Sequence, residues 1–350
     1  MSDDSFIIRQ ADLNSAVAAG VIERRTADDL VEFVSRGDGS NNADDEQLRL
    51  VTGFNDIFVT IGLALFLGAI AYLSAGVAVL TLPIVAWLLA EIFTKRKRMA
   101  LPSIVLLVVF AFSTFLGAMY LLSPNSAGID FGLRDNNAWQ FAFSGLVTAG
   151  FIGMHWWRFH VPITLAAGCA ALVAMVVAMF EGAAPNFMSS HAALVFVPLG
   201  VATFAAAMFF DSQDRARRTR KSDMAFWLHL LAAPLIVHPL VRGLANLDSM
   251  TLSDSGLIFG LTAILSLVAL VVDRRALLVS SLLYLGYALS TLLSKTSWGS
   301  ETFAIAVLGV GTIVLILSVA WQPLRKVIIG MMPNAVRVYV PAPHSLAKQS

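Results

Sequence analysis

The stretch Ala225 to Leu247, "AFWLHLLAAPLIVHPLVRGLANL", decides the fold class. It is apolar enough to lie in a bilayer, yet it spends five positions on two histidines, two prolines and an arginine. Hydrocarbon resists all five. Ionisable side chains are costly there, and each proline frees a carbonyl that must find another partner. Such residues mark either a polar path through a membrane or a helix packed against protein.

Composition says which solvent the stretch meets. Of 350 residues, 57% are hydrophobic and 13% charged, and the mean hydropathy is +0.76. Soluble domains carry about one quarter charged residues, so the chain reads as a membrane protein. A bilayer core needs about 20 apolar residues per helix. Ten runs approach that length: 55–75, 76–94, 101–122, 138–155, 161–180, 191–210, 224–243, 255–272, 277–294 and 302–321. Between the first two, only Ser74 and Gly76 offer a break, so a tight hairpin is expected there.

The net charge of +1 says little, but its distribution says more. With the N-terminus inside, "KRKR" (95–98), Arg158, "RARRTRK" (215–221), "DRR" (273–275) and "RK" (325–326) all fall on the cytoplasmic side. The far side receives Arg134, Arg242 and Lys295, which leaves 21 of 24 basic residues inside. This is a strong positive-inside bias. The expected fold is therefore all-α, a polytopic transmembrane helical bundle of about ten spans with both termini cytoplasmic, in a bacterial inner membrane. The start, "MSDDSFIIRQADLN", is acidic and polar, so no cleavable signal peptide is expected and the spans themselves must target the chain.

Outside the spans the chain is short of material. Residues 1–35 predict a small cytoplasmic helical hairpin, in which Leu13, Ala16 and Val17 share a face and Gly20 caps the first helix. Thr26 and Asp29 start the second helix and place Leu30, Phe33 and Val34 for packing. Such a hairpin serves either as an appendage packed on the membrane domain or a partner, or as a regulatory element. Residues 36–54 form a polar linker leading to the membrane, 55–321 the transmembrane domain, and 322–350 a cytoplasmic interfacial segment and tail. Small residues should mediate packing between spans, with candidates at Gly256 and Gly260, at Ala149 and Gly153, and in "LGVG" (308–311). No matching motif relates the two halves as an inverted repeat.

Candidate chemistry centres on the opening stretch. At 1.5 Å per residue, His229 lies about one and a half turns in from the cytoplasm and His238 roughly two thirds of the way across. Pro234 and Pro239 free the carbonyls of Leu230 and Leu235 and should bend the helix. One reading makes His229, Pro234, His238, Pro239 and Arg242 a polar pathway, with His238 and Arg242 facing an anionic or protonatable substrate. The other has the histidines bonded within the bundle and Arg242 paired with Asp248, Asp254 or Glu181.

Carboxylates offer less. Asp56 and Glu91 stand at inner boundaries, Glu91 within reach of Lys95 one turn on, and Glu181 opens an outer loop. No carboxylate relay for a cation-driven pump is visible. "MHWWRFHVP" (154–162) reads as an aromatic belt at the inner interface, with a metal or quinone site at His155 and His160 as the alternative. The outer loops 123–139 and 181–191 are candidate docking segments for a periplasmic partner. Cys169 lies in an apolar run and reads as a small hydrophobe. No catalytic triad, metal-ligand spacing or cofactor fingerprint is present, so no catalytic, metal or cofactor-binding residue is assigned. Membrane lipids are the expected partners. Nucleic acid is not expected, because topology and anionic lipid explain "RARRTRK".

The start "DLNSAVAAGVIERRTADDL" (12–30), the long multi-span middle and the ending "AWQPLRKVIIGMMPNAVRVYVPAP" (320–343) together resemble a family of bacterial polytopic inner-membrane proteins defined by a domain of unknown function. The resemblance implies location and topology and transfers no activity. The functional expectation is a non-enzymatic inner-membrane protein, either transporter-like or a component of envelope assembly or signalling. The alternative is an intramembrane enzyme acting on a lipid or lipid-linked substrate around the seventh span.

Overall fold

In a computed structural model, the described residues are 10–31, 54–122, 137–214, 217, 219–244, 251–294 and 301–332. They are helical throughout, without a strand among them. The chain divides into two units, Met1–Gln47 and Leu48–Ser350.

The small unit holds α1 (Gln10–Ala18) and α2 (24–31). Gly20 adopts φ +70°, and the Val21 amide donates to the Ala16 carbonyl at 2.9 Å. A residue without Cβ takes this left-handed turn at little cost, which is why the helix stops there. Helix α2 begins at Arg24, two residues before the expected Thr26 start. Phe33 and Val34 lie outside the described residues.

Among the described residues the large unit has ten α-helices: α3 (Phe54–Ser74), α4 (Ala78–Ala90), α5 (Ala100–Leu122), α6 (Ala138–Phe159), α7 (Ile163–Ala183), α8 (Phe187–Gln213), α9 (Arg220–Leu244), α10 (Leu252–Val272), α11 (Leu278–Ser294) and α12 (Thr302–Met331). They fall where the ten apolar runs were read. Among the described residues, seven helical stretches are long and apolar enough to cross a membrane: Phe54–Arg96, Ala100–Leu122, Ile163–Ala183, Phe187–Gln213, Arg220–Gly243, Ser253–Val272 and Ala304–Met331. The molecule is thus an all-α bundle with the helices of an integral membrane protein. The first of the seven contains the expected hairpin, a 3-10 turn at Ala75–Val77 with Ala75 at φ +43°. Helix α6 is long enough, but Gln140, Ser144, Thr148 and His155 dilute it. Helix α11 has only 17 residues.

Neighbours in sequence pack as neighbours in space, most extensively α8 with α9, α6 with α7, and α4 with α5. Close approach depends on glycines other than those expected. A Cβ at Gly200 would meet Ile236 Cγ1 at 2.6 Å, and one at Gly145 the Ala171 carbonyl at 3.0 Å. Nothing lies within 4 Å of Gly153, Gly256, Gly260 or Gly311. In the last span only Gly309 is close, against Leu289 at 2.9 Å. The GxxxG of α10 therefore faces outward: the spacing is compatible with helix contact, but which face of α10 turns inward is set by Ile258, Ala269 and Leu270.

Helix α12 runs on to Met331, so the first residues expected in the interfacial tail are its final turns. Pro323 lies inside it. The carbonyl that Pro323 cannot bond is that of Val319, a residue 85% exposed, so the loss falls on the outer face and the helix continues.

Candidate functional site

Helix α9 is one helix from Arg220 to Leu244, with Pro234 and Pro239 both inside it. Its buried face carries Ala225, Leu228, Ala232, Val237 and Val241, and His229 shares that burial at 0% exposure. His238, nine residues on, is exposed. At 100° per residue nine positions make half a rotation, and the prolines do not undo it. His229 and His238 therefore stand on opposite faces. Pro239 is buried, whereas Pro234 and Arg242 are exposed. His238 Nδ1 contacts the Tyr284 hydroxyl of α11.

His229 meets an acid instead. Its Nε2 lies 3.0 Å from Oδ2 of Asp211, in the last turn of α8. Asp211 is 5% exposed and also accepts from Arg274, through Nε at 3.1 Å and through Nη2. Arg274 follows α10 and is 1% exposed. Its Nη2 also donates to the Ser222 carbonyl at 3.2 Å and lies 3.1 Å from Ser222 Oγ. With Arg274 donating to both carboxylate oxygens, Asp211 acts as acceptor and His229 donates through Nε2. The bland alternative for the histidine, a bond within the bundle, is the geometry observed.

The adjacent residue builds a second cluster. Asp273 caps α10 in the left-handed conformation, φ +60°. Its carboxylate lies 3.2 Å from Arg217 Nη1 and 3.6 Å from Arg325 Nε, and it accepts from Trp321 Nε1 at 2.8 Å. Arg217 also donates to the Asp273 carbonyl at 2.8 Å. Arg275 covers the Trp321 ring at 5.2 Å. Asp273 and Arg274 thus join the ends of α8, α9, α10 and α12 through two contiguous sets of charges.

Sequence reading found His229 but not its partners. In sequence, "DRR" reads as topology charge and "RARRTRK" as topology charge and attraction to anionic lipid, neither as a partner of a buried group. The available signal is the set of acids in or flanking these basic segments, Asp211, Asp214, Asp223 and Asp273, since topology rewards only the bases. One pairing is corrected. Glu91 bonds Arg158 of α6 with both oxygens, at 2.7 and 2.8 Å, rather than Lys95. Residues Glu91–Arg96 form a π-helix, whose wider turn moves residue i+4 away from residue i. Of the proposed partners of Arg242, Glu181 accepts the Asn186 and Met188 amides at 2.7 and 2.9 Å. Asp254 closes a capping box with Thr251, and Asp248 lies outside the described residues.

The belt reading of residues 154–162 holds for Trp157, 81% exposed, but not for His155, which is 1% exposed. His155 packs edge-on or tilted among Trp87, Phe110 and Phe159 with ring centroids 4.6 to 5.8 Å apart. Among the described residues no three His, Cys, Asp or Glu side chains gather as metal ligands. No protein family, curated protein or solved structure matches the chain.

Proposed function

We propose that the chain is a ten-span protein of a bacterial inner membrane, with both termini cytoplasmic, and that it acts without catalysis as a component of envelope assembly or signalling. The lysine and arginine distribution supports the orientation. One observation favours a contact-based role over a carrier: the buried polar group of α9 is committed to the protein. His229 is bonded to Asp211, which Arg274 grips with two donors. A carrier needs one helical group to move against another around its site. Here α8, α9 and α10 are joined by buried charges and α10 and α12 by half-buried ones, and parting the buried set would strand its charges in a poor dielectric.

Complementation of a deletion strain separates the readings. His238→Leu and Arg242→Gln, on the exposed face of α9, should leave protein level and complementation unchanged. Loss of complementation at normal protein level would make that face a substrate path and overturn the contact-based role.

A further inference from the structure

A hydroxyl buried in a helix ordinarily bonds its own backbone. Ser103, Ser113, Thr203 and Ser255 do so here, each donating to the carbonyl four residues back. Three others do not. Thr114 of α5 and Ser144 and Thr148 of α6 are 9, 0 and 3% exposed, and their hydroxyl oxygens have no hydrogen-bond partner among the described residues.

The three belong to one seam. Helices α5 and α6 meet at Phe110 and His155, ring centroids 5.5 Å apart, and again at Phe115 and Phe141, 5.8 Å apart. Thr114 lies between the two contact residues of α5, and Ser144 and Thr148 lie between the two of α6. At about 100° per residue, Thr114 stands roughly 40° round α5 from Phe110, and Ser144 and Thr148 roughly 20° to either side of His155. All three therefore face the same stretch of the α5–α6 interface. It is deep: Thr114 is eight residues from the end of α5 and Ser144 six from the start of α6, roughly 12 and 9 Å of helix.

The chemistry of the three groups selects the occupant. An unpaired buried hydroxyl is costly, and an apolar molecule between the helices would leave all three unpaired. No charged residue lies between Phe110 and Phe115 or between Phe141 and His155, so the seam favours neither a cation nor an anion. Each hydroxyl can donate or accept. A water molecule does both, and a buried one makes about three hydrogen bonds. Three hydroxyls supply that number.

We propose that one ordered water sits between α5 and α6 and bridges the hydroxyls of Thr114, Ser144 and Thr148. The bridge ties the two helices together without charge, and it is independent of the role proposed for the α8–α12 clusters.

The test uses the full chain in nanodiscs, deuterated except at its threonine methyl groups, and reads the nuclear Overhauser transfer from water to each methyl. Thr203 is the control, because its hydroxyl is buried too but already donates to the Leu199 carbonyl at 2.8 Å. Transfer should reach the Thr114 and Thr148 methyls and not that of Thr203. Thr148→Val keeps the side-chain shape and removes one hydroxyl, so the Thr114 signal should be lost. Ser144→Ala should weaken the signal at both threonines. An unchanged Thr203 methyl shift reports that each variant keeps the fold. No transfer to Thr114 and Thr148 in the parent, transfer of equal strength to Thr203, or a Thr114 signal that survives both substitutions in folded protein would each overturn the proposal.

Discussion

Arg274 shows how one side chain can set the charge balance of a buried region. Its guanidinium reaches both oxygens of Asp211 and both oxygens of Ser222. Replacing it with Gln would leave a 5%-exposed carboxylate with only His229 facing it in this cluster. Stranding one partner of a buried pair costs about 3–5 kcal/mol, so Arg274→Gln should lower the unfolding midpoint markedly in denaturant titrations of the purified protein. Asp211→Asn should do the same. The double variant should lose less than the sum of the two, because the second change removes a charge already stranded. Equal and additive losses would show that the two side chains do not act as a pair. By contrast, Glu91→Gln breaks an ion pair whose side chains are 43 and 30% exposed. It should cost about 0–1 kcal/mol in the same titration.

At the scale of helices, the glycines that matter are those whose missing Cβ a neighbour occupies. Gly200→Ala would place an atom 2.6 Å from Ile236 Cγ1 and 3.2 Å from the Ile236 amide nitrogen. It should therefore push α8 from α9 and destabilise by about 1–3 kcal/mol. Gly256→Ala meets nothing within 4 Å and gains helix propensity, so the same melt should show no loss. Sequence alone picks out Gly256 and passes over Gly200, because GxxxG is visible as a pattern while Gly200 has no matching partner on its own helix. The contact that defines Gly200 comes from α9, thirty-six residues away. His229 behaves similarly. Its depth and type were legible from one helix, but its partners lie 18 and more residues distant in sequence, on segments whose charges also serve topology. Helix positions were far easier to read, since length and apolarity are local properties. The continuation of α12 beyond Trp321 to Met331 is less legible, because apolarity falls at the basic segment and Pro323 is ordinarily costly inside a helix.

For the molecule as a whole, the asymmetry of basic residues makes a directional statement. In a Cys169→Ser background, a cysteine at Lys221 should react with a membrane-impermeant maleimide only after the membrane is opened. A cysteine at Ser253 should react in intact spheroplasts. Both positions are exposed and sit at opposite ends of the helices between them, so the pair reads orientation directly. The reverse pattern would invert the proposed topology.

The joint after α10 carries a further consequence. Asp273 and Arg274 are consecutive, yet one addresses Arg217, Trp321 and Arg325 and the other Asp211 and Ser222. Their divergence comes from a single left-handed residue. Short connections between helices ordinarily accept added residues without harm, but here even one inserted glycine between 273 and 274 would put the two side chains out of register with their targets. The chain has, in effect, a fixed-length hinge pin where most proteins keep slack.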